Sequence, residues 1–234
     1  MSDLHEILDD TGNFVLSCRE LIECFDFSRV GDSYLFALIE PSIQEVDSLL
    51  INQIYTFKCH EFDGRLDFDF VVKKIIKSNG VLYLDLAVIN GMYKVGVLSF
   101  LKICKNSNGR IWLDMMQESK RIYISASYII GGIRRCLEKD TIIIEGKYIH
   151  DYYSFYCEIG YAFFGSFGYM GNNLDAFDDC IVEVKRRDRQ LNIIWRDSEL
   201  SFKAINNTIP SEVYPLSSND IINILKNHCN LTLE

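Results

Sequence analysis

Three aspartates in one short stretch carry the clearest chemical possibility in this 234-residue sequence. Within residues 169–181 (YMGNNLDAFDDCI), Asp175, Asp178 and Asp179 recur at steps of three and four. Leu174, Phe177 and Ile181 recur at the same steps on another side of what the spacing predicts to be a helix. Carboxylates this close repel one another by about a few tenths of a kcal/mol per pair. A cap at Asn172 or Asn173 and the positive end of the helix dipole offset part of that, and a cationic partner would offset the rest. Acids in a first helical turn are also ordinary solvated surface, so the pattern alone leaves that possibility open. A metal-dependent hydrolase could use the three acids as hard oxygen ligands, but such sites recruit further carboxylates from distant elements, and no second acidic motif stands out. A basic protein surface is the other candidate cation. Catalytic residues are not expected. His150 and His228 lack a Ser or Cys partner at triad spacing, and Cys59 and His60, as strand neighbours, point to opposite faces. The run Lys185-Arg186-Arg187-Asp188-Arg189 reads as a solvated turn at the C-terminal end of the acidic helix.

The elements that would hold these acids come in a distinctive order. Residues 141–146 (TIIIEG) read as a strand closed by a glycine turn, and 151–160 as a helix. Tyr169-Met170-Gly171 then leads to Asn173-Leu174-Asp175-Ala176, followed by a strand at 191–196 (LNIIWR). Residues 219–228 read as a last helix and 230–233 as a closing strand, with 197–215 left as a loop. Cys180 lies on the acidic helix and Cys229 just before the final strand. This series resembles the barstar-like inhibitors of barnase-type ribonucleases over about residues 140–234. The resemblance implies a small three-stranded parallel sheet packed by helices, and an immunity protein that occludes a ribonuclease toxin without chemistry or cofactor.

Carried onto this sequence, the resemblance makes Asp179 the central contact that replaces a substrate phosphate, and Asp175 the second. It makes Tyr169 an aromatic that stacks on the enzyme's histidine and Gly171 the point of close backbone approach. Asn173 and Asp178 complete the implied contact set. Two positions depart from the family: Asp178 stands where Trp is common, and the last helix offers neutral Asn223 and Asn227 where acids can occur. Size and the added N-terminal part would suit the immunity partner of a polymorphic bacterial toxin. An adaptor that binds through its first half is the remaining alternative.

Charge fits a basic partner. The chain carries net −9, of which −5 lies from residue 139 onward, which disfavours nucleic acid and favours encounter with a cationic protein. At 48% hydrophobic residues it can bury substantial cores. Its eight cysteines show no CxxC pair or Cys–His ligand spacing, and Cys18, Cys24, Cys59, Cys104, Cys136 and Cys157 sit among apolar residues as small buried thiols would. The acidic start MSDLHEILDD lacks an apolar signal core, which leads to the expectation of a reduced, cytoplasmic protein.

The first half predicts a different object. Asn79-Gly80, Asn90-Gly91 and Asn108-Gly109 punctuate runs of β-branched and aromatic residues, the strongest short hairpin signal. Leu66, Phe68, Phe70 and Val72 alternate with polar residues, as do Leu82, Leu84, Leu86 and Val88. Further strands are expected at 33–39, 53–59, 93–104, 110–115 and 121–128, with a short helix at 16–25. The sum is an antiparallel meander of about five to seven strands, rolled toward a half-barrel. Exposed tyrosines such as Tyr83 and Tyr93 could form a binding face, although strand tyrosines are usually packing. The expected domains are 1–135, antiparallel and β-rich, and 139–234, barstar-like, joined by a charged connector after Gly131-Gly132.

Overall fold

The computed structural model describes residues 5–24, 33–42, 49–184, 191–210 and 217–234. They fall into two compact units, Met1–Ile103 and Cys104–Glu234, giving a mixed α+β architecture. No described helix is long and apolar enough to cross a membrane.

The first unit holds a seven-stranded antiparallel sheet. Its strands are β1 (His5–Asp9), β2 (Phe14–Cys18), β3 (Glu20–Cys24), β4 (Tyr34–Ile39), β5 (Ile54–Cys59), β6 (Phe68–Ser78) and β7 (Val81–Asn90). Their order is β2-β1-β5-β6-β7-β4-β3. The outermost strands are consecutive in the chain and separated only by Arg19, whose N–H donates to Ile39 O at 3.0 Å. Residues 14–24 are thus one bent strand that pairs β1 with its first half and β4 with its second, closing the sheet on itself. Leu66, Phe68, Phe70, Val72, Leu82, Leu84 and Leu86 all point into the core, as their alternation requires. Rings bind that core together: Phe57 stacks on Phe68 with centroids 5.1 Å apart, and Phe68 on Tyr93 at 4.2 Å.

Several sequence expectations fail here, each for a tertiary reason. The described residues of the expected 16–25 helix lie in strands β2 and β3 instead. Their three-residue apolar spacing is also compatible with strands that face the core on one side and a neighbour on the other. Residues 93–104 are not a strand: α1 (Val97–Cys104) buries Val97 and Leu101 four residues apart. Its start is fixed by a distant group, because the buried carboxylate of Glu23 accepts from the N–H groups of Gly96 (2.8 Å), Leu98 (3.3 Å) and Ser99 (2.9 Å), and from the Tyr93 hydroxyl. Tyr93 is therefore buried rather than part of an exposed face. Of the three Asn-Gly pairs only Asn79-Gly80, with φ of 51° and 77°, forms a two-residue hairpin, between β6 and β7.

In the second unit, residues 110–115 form a 3-10 turn (Ile111–Asp114) and residues 121–128 lie in α2 (Lys120–Gly131), not in strands. The β-branched and aromatic residues of α2 favour a strand locally, but Tyr123, Ile124 and Ile129 bury against the rest of this unit. Gly132 then ends a helix rather than a strand, with φ of 59° and its N–H on Tyr128 O at 2.7 Å. The connector does not stay free: Lys139 Nζ and Arg134 Nη1 donate to Ala162 O (2.9 Å) and Phe164 O (3.4 Å).

Three parallel strands follow: β8 (Thr141–Glu145), β9 (Leu191–Arg196) and β10 (Cys229–Leu233), in the order β10-β9-β8. Between them lie α3 (Tyr152–Phe164), α4 (Leu174–Val184), α5 (Ser198–Thr208) and α6 (Ser218–His228). Residues 198–208, expected as loop, are helix. Ser201 and Ser198 are buried in it, and Phe202 packs edge-on against Trp195 at 5.0 Å, so tertiary burial fixes a segment with little local helical signal. Ile142, Ile144, Ile193 and Trp195 form the buried face of the sheet.

Candidate functional site

Helix α3 is the platform. It buries residues on nearly every side, which suits a helix enclosed by other elements. Asp151 caps its start, accepting from Ser154 N at 2.8 Å, and pairs with the buried Lys120. In its middle, Glu158 is fully buried and held bidentately by Arg110 at 2.6 and 3.0 Å. Burial pushes the Glu158 carboxyl above its usual range, and the Arg110 bonds pull it back. The Arg110 guanidinium lies between the rings of Tyr148 and Tyr161, 4.2 and 4.3 Å from their centroids. None of these charges is free for a partner.

The loop after α3 is laid against that platform. Gly160 of the helix and Gly168 of the loop meet backbone to backbone, and a Cβ on either would collide with the other's carbonyl oxygen. Phe167, at φ 55°, donates its N–H to the Tyr123 hydroxyl at 3.1 Å and stacks on that ring at 5.4 Å. Tyr169 continues the packing. It is only 4% exposed, its ring meets Tyr128 edge-on at 5.1 Å, and burial pushes its phenol up. It is thus not presented for stacking on another protein in this structure. Gly171, at φ 95°, is also turned inward: a Cβ there would lie 2.6 Å from Phe177 N, so the close approach it permits is to α4 of its own chain.

Helix α4 is capped by Asn173, whose Oδ1 accepts from Ala176 N at 2.8 Å. Leu174, Phe177, Cys180, Ile181 and Val184 are buried. Phe177 meets Phe155 of α3 edge-on at 5.4 Å, and Phe155 stacks on Trp195 of β9 at 5.7 Å, so a line of rings joins the acidic helix to the sheet. The opposite face carries Asp175 and Asp179, both exposed and one turn apart. Among the described residues neither makes a hydrogen bond or an ion pair. Asp178 is different. Its Oδ1 accepts from Nε2 of His228 on α6 at 2.8 Å, with the Asp178 side chain 48% exposed and that of His228 22%. The sequence gives His228 no catalytic role, and its place just before Cys229, fifty residues from Asp178, carries no local sign of the bond.

Among the described residues no group of three or more His, Cys, Asp or Glu side chains could hold a metal ion. The basic run at Lys185-Arg186-Arg187-Asp188-Arg189 lies outside the described residues. Asn223 and Asn227 lie on α6, the helix that supplies His228. Cys18, Cys59, Cys157, Cys180 and Cys229 are buried, but Cys136 is exposed, against expectation. Cys59 and His60 form no pair: burial pushes that thiol up to about 11, and His60 Nε2 lies 3.4 Å from Glu6 Oε1.

The second unit thus combines a small parallel sheet with a capped helix whose exposed face carries Asp175 and Asp179. The model of the Barstar (barnase inhibitor) family matches residues 140–209, from β8 through α5, so the C-terminal part of the chain carries a barstar domain that includes the loop and the acidic helix. Members of that family are inhibitors, not enzymes, and bind ribonucleases such as barnase. No curated protein and no solved structure matches the chain.

Proposed function

We propose that this chain is an immunity protein that inserts helix α4 and its preceding loop into the active site of a cognate ribonuclease-type toxin in the bacterial cytoplasm. Residues 139–234 are the inhibitor domain, and the β-rich unit Met1–Ile103 has a separate role. The observation that carries the reading is the exposed pair Asp175 and Asp179, one helical turn apart and without hydrogen bond or ion pair among the described residues. A ribonuclease active site is a desolvated cationic pocket, and carboxylates already fixed on a helix lose less freedom there than mobile RNA does. Asp179 is the central contact and Asp175 the second. Asn173 sits on the exposed rim of the same surface, while Tyr169 and Gly171 act by shaping the loop beneath it.

Titration of the full chain into barnase tests this, with RNA cleavage and calorimetry as readouts. Asp179→Ala should weaken binding by about 2–5 kcal/mol, as expected when one member of a desolvated charge pair is removed, and Asp175→Ala by less, a pattern borrowed from the barnase–barstar pair. Unchanged affinity in both variants would remove the acidic plug.

A further inference from the structure

We propose that Asp178 is a positioning residue: through His228 it ties the acid-bearing helix to α6, and it does not enter the partner. The inference rests on the binding role given to Asp175 and Asp179 and adds what holds them in place. Among the described residues helix α4 is otherwise seated mainly by apolar contacts on one side, chiefly Phe177 against Phe155, and such contacts tolerate rotation about the helix axis. A directional bond does not. Asp178 supplies one, 2.8 Å from Nε2 of His228, in the same turn as Asp179. Among the described residues this helix also pairs Glu183 with Arg135 at 2.7 Å, at its far end, where the arginine side chain is 74% exposed; a pair so open to solvent fixes little. His228 is only 22% exposed, so its bond to Asp178 competes less with water. Of three acids that repel one another, one is thereby satisfied from within the domain, and two are left facing out.

The test uses the full chain and the variants Asp178→Ala, Asp178→Asn, His228→Ala, His228→Gln and the double alanine variant. Hydrogen exchange of the α4 amides should accelerate in Asp178→Ala and in His228→Ala by a similar factor, with little added in the double variant. Asp178→Asn keeps an oxygen that can accept from Nε2–H, and His228→Gln keeps a donor, so both should retain most of the protection. With barnase as the probe, Asp178→Asn should stay within about threefold of the wild-type inhibition, whereas Asp179→Asn should lose about 30-fold or more. Additive exchange effects in the double variant would overturn the tie. So would an Asp178→Asn variant that loses inhibition as Asp179→Asn does while α4 stays protected, since Asp178 would then be a contact. A wild-type chain that fails to inhibit barnase would instead count against the partner class, and the exchange data alone would then decide whether Asp178 braces the helix.

Discussion

Asp175 and Asp179 cost the fold little and owe it little. Both are exposed and among the described residues unbonded, so replacing either with alanine should change stability by no more than about 0.5 kcal/mol. A large loss of ribonuclease binding at unchanged denaturation midpoint is the signature of a contact residue. Asn173 belongs to the other kind. Its Oδ1 caps α4, so Asn173→Ala should lower stability by about 1 kcal/mol while Asn173→Asp keeps the cap; urea denaturation of both variants measures the difference. The acids and the cap are visible in the sequence because their effect is local, set by helical spacing and first-turn position. Tyr169 and Gly171 are visible only as residue types. That they face inward depends on Tyr128 and on the backbone at Phe177, neither of which is marked in the residues around them.

Elements divide along the same line. Strands β6 and β7 were legible because alternation of Leu66 to Val72 and Leu82 to Leu86 is a property of the strands themselves, and Asn79-Gly80 fixes their turn. Helices α1, α2 and α5 were not, because what makes them helical lies elsewhere: the Glu23 carboxylate for α1, burial of Tyr123 and Ile124 for α2, and Trp195 against Phe202 for α5. The loop that presents α4 follows the same logic, since it depends on two glycines meeting across elements. Gly160→Ala or Gly168→Ala forces the helix and the loop apart, with an expected loss of about 2–3 kcal/mol or more from overpacking. Gly165→Ala, where a Cβ meets nothing within 4 Å, should cost only the strain of its φ of 79°. Thermal denaturation of the three variants separates close approach from backbone strain.

At the scale of the whole molecule, charge and burial lead to two expectations. With net −9 the chain should meet a basic ribonuclease quickly at low salt, and stopped-flow association should slow by about tenfold or more on reaching physiological ionic strength. The second concerns alkaline pH. Burial pushes the Cys59 and Cys180 thiols up to about 11 from 9.0, so between those values the folded chain holds protons that the unfolded chain has released. That contribution is complete below pH 9.0 and disappears as pH rises through about 11, so the melting temperature should fall across this window. A Cys59→Ala/Cys180→Ala double variant should fall less steeply.

The ring line that seats α4 also has an optical consequence. The chain has two tryptophans, and both Trp112 and Trp195 are fully enclosed in the second unit, while Met1–Ile103 has none. Indole emission is therefore a private signal of residues 104–234. Because Trp195 is one phenyl ring removed from Phe177, a red shift on warming would mark the moment the acid-bearing helix lets go, with the β-rich unit dark throughout.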